Sequence, residues 1–275
     1  RRRGERDDRT VRVARIIVPK SSYRVSRLTR GPSPPQTLVH ANLVVGIVGM
    51  TQKKQNNAAL WESVRDVNET DERGRTLLYV ACRKGDARFA RRALELSSGD
   101  TVNFTNVAGK HALYAAAAGG NERVVELVIK AGAALEKKDR HGRSPLWAAC
   151  YHLRPGAVAR FLCLGADPNA QDASLVPPLV CAAAHGEDGA VRALLTSARG
   201  RVRVDEREML GCTALWAAAE GGELEAATTL LGAGADPDAR NAFGRPPLVA
   251  AAVRGHAEMC VALIADGADA NLADD

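Results

Sequence analysis

The stretch GADPNAQD, residues 165–172, returns as GADPDARN at 234–241 and as GADANLAD at 267–274. The first two copies begin 69 residues apart and the last two only 33. The intervals agree if the longer one spans two units, one of 33 residues and one of 36, with a disguised copy at the join. From Asp71 onward the chain keeps that register. Units begin at Asp71, Asn106, Asp139, Asp172, Glu208 and Asn241, so they cover 71–105, 106–138, 139–171, 172–207, 208–240 and 241–273. Asp274 and Asp275 open a seventh. The disguised copy ends unit four, where ARGRVRVDER, 198–207, stands in place of the phrase.

Within a unit, each residue has a physical reason. Asp or Asn stands at or near the start, with Gly three residues later (Gly74, Gly109, Gly142, Gly211, Gly244), which is turn chemistry. A hydroxyl follows in three units (Thr76, Ser144, Thr213), placed to cap a helix, and Pro145, Pro178 and Pro247 suit a first helical position. Leu then recurs in every unit, from Leu78 to Leu248, followed by pairs of small residues such as Ala116-Ala117 and Ala149-Cys150. Small side chains there let helices of adjacent units approach closely. Gly85, Gly120, Gly186, Gly222 and Gly255 stop this helix, and a second one carries apolar residues at helical spacing, as in Val124, Val125 and Val128. Two short helices and a turn-rich loop per unit predict an all-α solenoid of twelve paired helices.

These residues resemble the ankyrin repeat, whose pattern is DxxGxTPLHxAAxxGHxxVVxLLLxxGAxxN. SPLWAAC at Ser144, TALWAAAEGG at Thr213 and DGADANLAD at Asp266 carry the likeness most closely. The resemblance spans residues 71–273 and implies an ankyrin-repeat α-solenoid that binds protein partners. The chain departs from the pattern in several places. The ninth-position His is replaced throughout, by Tyr79, Tyr114, Trp147, Val180, Trp216 and Val249. Leu153 stands where the helix-stopping Gly belongs, and Leu175 replaces the turn Gly. Since Leu adopts left-handed backbone at a cost, Leu153 to Gly156 is predicted to be an irregular joint. Upstream, LWESVRDVNETD, 60–71, reads as the end of a partial N-terminal cap within a linker and cap segment, 37–70.

Composition narrows the function. The net charge of +6 belongs to one end: residues 1–30 hold eleven Lys and Arg against three acids, leaving the remainder near −2. Residues 1–36, ending in GPSPPQ, show no sustained period and are predicted to be a disordered basic tail. Six cysteines spread through apolar stretches read as buried free thiols of a reducing compartment, which places the protein inside the cell, cytoplasmic or nuclear. The longest apolar run, Leu38 to Met50, is too short to span a membrane. No phosphate loop, nucleophile elbow or zinc-protease motif is present, so the chain reads as non-enzymatic, with no cofactor and no metal. Cys150, His152 and His185 read as a packing residue and two helix-end residues rather than a ligand set. The ninth-position aromatics likewise read as packing, because Val fills the same slot in two units.

The resemblance also implies which positions line the concave binding surface. Here they hold Arg73, Arg75, Arg83, Lys84, Lys110, Lys138, Arg140, Arg143, Arg207, Arg240, Arg245 and Arg254, against only Glu72 and Glu220. Beside them, Met209, Leu210, Cys212, Ala242 and Phe243 form an apolar patch at the tips of units five and six. Such a face suits a monomeric module docking an acidic protein surface or segment. Nucleic-acid binding through the basic face and tail is the alternative, as is an adaptor role within a larger enzyme or channel.

Overall fold

The computed structural model describes residues 70–97, 99–186, 188–197 and 201–272. The basic tail and nearly all of the predicted cap lie outside the described residues. Six helix pairs follow one another: α1 (Leu77–Lys84) with α2 (Ala87–Leu96), α4 (Ala112–Gly119) with α5 (Glu122–Lys130), and α6 (Pro145–Tyr151) with α7 (Pro155–Cys163). Next come α8 (Pro178–Ala184) with α9 (Asp188–Ser197), α10 (Ala214–Gly221) with α11 (Leu224–Gly232), and α12 (Pro247–Arg254) with α13 (Ala257–Ala265). A single extra turn, α3 (Gly99–Val102), takes up the added length of unit one, which the periodicity does not anticipate. Among the described residues no strand forms, and the one isolated bridge pairs Thr70 with Thr76.

The helices start and pack as the repeat requires. Thr76, Ser144 and Thr213 each accept an N–H from three residues on, at 3.2, 3.1 and 3.2 Å. Asp86 and Asn121 cap the second helices of units one and two in the same way. Leu78, Leu113, Leu146, Leu179 and Leu215 are buried, with Ala81, Ala116, Ala149, Ala182 and Ala218 fully enclosed beside them. The small residues matter for approach. A Cβ on Gly119 of α4 would come within 2.7 Å of the Cys82 carbonyl on α1, so a larger residue there would force the two units apart.

Between units, the repeated phrase supplies a ladder of side-chain acceptors. Ala134 N–H donates to Asn103, Asp167 to Glu136, Arg203 to Asn169, Asp236 to Asp205 and Asp269 to Asp238. Each bond spans 31 residues except the third, which spans 34. The three extra residues of unit four therefore lie between Leu194, which is still in register in the core, and Arg203. At the tips, Val107, Arg140, Ala173 and Ala242 donate their N–H groups to carbonyls of the preceding unit.

One expectation is corrected here. Leu153 does not create an irregular joint. It takes the left-handed backbone of the missing glycine, with φ of 57°, and α7 begins in the register of the other units. Leu175 does likewise, with φ of 59°. The stacked neighbours impose the conformation and Leu bears the strain. At Leu175 there is also a visible consequence. A Cβ at the equivalent Gly142 would stand 2.7 Å from the Ala173 N–H that bonds across the tip. Leu175 carries that Cβ, and the corresponding bond from Met209 to Ser174 is not made.

Candidate protein-binding face

Several of the predicted cations are spent on the fold itself. Asp139, its side chain fully enclosed, accepts Nε and a terminal nitrogen of Arg143 at 3.0 and 2.7 Å. Burial alone would raise the Asp139 carboxyl; hydrogen bonds from the Arg143 side chain and backbone and from His141 outweigh it and hold it below its usual range. Arg75 pairs with Asp71 at 2.5 Å in the same geometry. Arg83 donates to the Ala118 carbonyl at 2.7 Å, Lys138 to Gln171 at 2.8 Å and Arg207 to Arg240 at 2.7 Å, so each ties its unit to the next. Arg254 pairs with Glu220 at 2.6 Å. Arg240 and Arg245 are half-buried. The first-position carboxylates Asp71, Asp139, Asp172 and Glu208 also sit at these tips, so the face is less basic than the cations alone suggest.

What is left over is more specific. Arg73, Lys84 and Arg140 are exposed, and their side chains have no hydrogen-bond or ion-pair partner among the described residues. The Lys110 ammonium lies 4.9 Å above the Tyr114 ring rather than on a carboxylate, and Arg143 lies 5.4 Å above Trp147. Burial, and then Arg143, lower the pKa of Lys110. The ninth-position aromatics are packing residues, as the sequence suggests: Tyr114, Trp147 and Trp216 are buried, and Trp147 donates to the Val176 carbonyl at 3.2 Å.

One group on this face is not found by the sequence reading. Tyr151 stacks on Trp147 at 5.3 Å and meets His152 and His185 edge-on at 5.2 and 4.9 Å. The two histidines thus flank an aromatic ring, and no group of three or more His, Cys, Asp or Glu side chains placed to hold a metal ion occurs among the described residues. The tip patch is smaller than expected. Met209 and Phe243 are 62% and 46% exposed and Leu210 is half-buried, but Cys212 is enclosed and drops out of the patch. Cys82, Cys150, Cys181 and Cys212 are buried, and burial pushes their thiols up. Cys163 is exposed and Cys260 half-buried, against the expectation of buried thiols throughout.

No helix among the described residues is long and apolar enough to cross a membrane. The chain is 34% identical over 113 residues to the E3 ubiquitin-protein ligase KEG of Arabidopsis thaliana, a match covering 40% of this chain and 7% of the ligase. Human Ankyrin repeat domain-containing protein 63 is 34% identical over 94 residues, covering 34% of this chain and 25% of that protein. The chain therefore aligns with only a small part of either relative. Among solved structures, the ankyrin repeat domain of Bcl-3, a member of the IkappaB protein family, superposes with a TM-score of 0.64 at 27% identity. That match covers 74% of this chain and 91% of the Bcl-3 domain. The ankyrin repeat domain of human ASB11 shares the fold with a TM-score of 0.66 at 23% identity, covering 73% of this chain and 87% of that one. Ankyrin repeats are generally protein–protein interaction modules. The family model for ankyrin repeats in three copies matches residues 50–139, 78–172 and 179–274, and the chain belongs to the ankyrin-repeat family.

Proposed function

We propose that this chain is a non-enzymatic, monomeric binding module inside the cell, docking an acidic surface or segment of a partner protein through its concave face and loop tips. The observation that carries this reading is the set of uncompensated cations on one face, Arg73, Lys84, Lys110 and Arg140, beside exposed Met209 and Phe243. Exposed cations contribute little each to affinity but raise the encounter rate, whereas a partly exposed aromatic ring beside Met is suited to anchor a complex. A cytoplasmic or nuclear setting suits free thiols. The likeness to part of a ubiquitin ligase supports a second reading, in which such a module presents partners to a catalytic part of a larger protein.

The test is kinetic. Arg73→Glu with Arg140→Glu is expected to slow association with a captured partner, by an amount that fades as salt rises. Phe243→Ala is expected to speed dissociation by roughly tenfold or more at any salt, if the ring anchors. Unchanged rates in both variants refute the assignment of this face. Retention on random-sequence DNA above about 0.15 M salt would transfer the face to nucleic acid.

A further inference from the structure

Midway along the same face, four cations from three units converge with no matching number of anions. Arg83 of unit one reaches over to the Ala118 carbonyl of unit two. The Arg154 side chain lies across Gly120, so closely that a Cβ there would come 2.4 Å from its Cδ. Lys110 and Arg143 stand over Tyr114 and Trp147. His152 sits among them, packed on Tyr151. Burial, and then Arg83, Lys110, Arg154 and Arg143, bring the His152 pKa down to about 4. Asp139 is paired within the group and committed to Arg143, and Asp172 also faces that guanidinium. Neither Lys110 nor Arg154 has a carboxylate partner among the described residues.

Like charges held together repel, and although Arg83 and Arg143 also serve the fold, Lys110 and Arg154 have no such partner to account for their place here. A single bound carboxylate would leave most of the excess in place. A phosphate monoester carries nearly two negative charges and three acceptor oxygens, which suits two guanidinium forks and an ammonium. The half-buried ring of Tyr151, stacked on buried Trp147, gives such a ligand an apolar support next to the charges. We propose that Arg83, Lys110 and Arg154 seat a phosphorylated side chain on an extended segment of the partner protein, with Arg143, held on Asp139, beside them. This inference rests on the concave-face reading above and sharpens its partner from acidic to phosphorylated.

The probes are three fluorescein-labelled peptides of one Gly/Ala background: one with a central phosphoserine, its serine parent and its glutamate counterpart. Each is titrated by anisotropy into the full chain at about 0.15 M salt. The phosphopeptide is expected to bind about tenfold tighter than the glutamate form. Lys110→Gln with Arg154→Gln should abolish that preference while circular dichroism and the melting temperature stay unchanged, and inorganic phosphate should compete only with the wild type. Equal binding of the phospho and glutamate forms, both lost in the double variant, overturns the phosphate assignment and leaves the acidic-partner reading intact. Phosphopeptide binding that is absent, or indifferent to the double variant, overturns the site. The rates of the Arg73, Arg140 and Phe243 variants judge the wider face independently.

Discussion

Removing the guanidinium from Arg143 tests whether its charge is structural. The Asp139 side chain is fully enclosed and that of Arg143 is 21% exposed. Breaking a buried pair from one side costs about 3–5 kcal/mol, because a carboxylate is left without its counter-ion. Here the loss is smaller, about 2–3 kcal/mol, since Asp139 keeps the His141 and Arg143 N–H groups at 2.9 and 3.1 Å and the guanidinium is partly hydrated. Arg143→Met should therefore lower the melting temperature by roughly 4–12 °C. Asp139→Asn should cost under about 1 kcal/mol, because Asn106 and Asn241 make the same backbone bonds at the same position of units two and six. The double variant Asp139→Asn/Arg143→Met should then be more stable than Arg143→Met alone, with a coupling energy of about 1.5–2.5 kcal/mol in a double-mutant cycle. Acid gives a second check. In the wild type the depressed Asp139 pKa contributes stability above the unfolded value near 3.9, and this is lost as pH falls through the folded value. In Arg143→Met the stranded carboxyl gains by protonation, so the gap between variant and wild type should close below about pH 4. Denaturant titrations at constant slope measure all four proteins. If Arg143→Met and the double variant are equally destabilised, the stranded-charge argument is wrong and Arg143 acts by packing on Trp147.

The remaining predictions address single residues. His111 occupies the capping position of unit two, is wholly enclosed, and neither ring nitrogen makes a hydrogen bond of ordinary geometry. Burial lowers its pKa to about 4, so stability should fall as pH drops from the unfolded value near 6.5 toward 4, by on the order of 3 kcal/mol. His111→Thr should remove that acid sensitivity and add about 1 kcal/mol by capping α4, as a pH series of melts would reveal. Leu175→Asn should raise the melting temperature by about 1–4 °C, because Asn tolerates left-handed backbone and Leu175 is 47% exposed; a drop would mean its packing outweighs its strain. Native thiol labelling should modify Cys163 first and leave Cys82, Cys150 and Cys181 protected until the array unfolds.

The architecture was readable because every unit repeats the same physical decisions: a turn, a cap, a Leu, a small pair, a glycine stop. Agreement among six imperfect copies reveals the register even where one copy is disguised, and the 34-residue bond from Arg203 to Asn169 shows where unit four regains it. What was misjudged lies where one unit departs from the rest. Leu153 read alone predicts a broken joint, but the units stacked on either side fix its backbone more strongly than Leu resists. Tyr151 was invisible for the opposite reason. Its counterparts are Arg83, Ala118, Ala184, Glu220 and Val253, so no pattern marks the position, and only the fold brings Trp147, His152 and His185 around its ring.

The overcount of free cations has a rule behind it that the sequence already contains. The first residue of each unit and the fifth stand four apart around the same turn, so an acid at the first position captures a cation at the fifth. Asp71 holds Arg75 and Asp139 holds Arg143 in this way. In unit two the first residue is amide rather than acid, so the backbone bonds of the turn persist but the carboxylate is gone. Asn106 accepts the Ala108 and Lys110 N–H groups at 2.9 and 3.0 Å, and the Lys110 ammonium turns to the Tyr114 ring instead. Asn106 in place of Asp thus leaves the fold unchanged and the charge of Lys110 available. Asn106→Asp should accordingly capture Lys110, leave the melting temperature within a few degrees of wild type, and weaken phosphopeptide binding by about threefold or more. Unchanged affinity in a variant shown to fold normally would mean that Lys110 is not part of the anion seat, whatever Arg83 and Arg154 do.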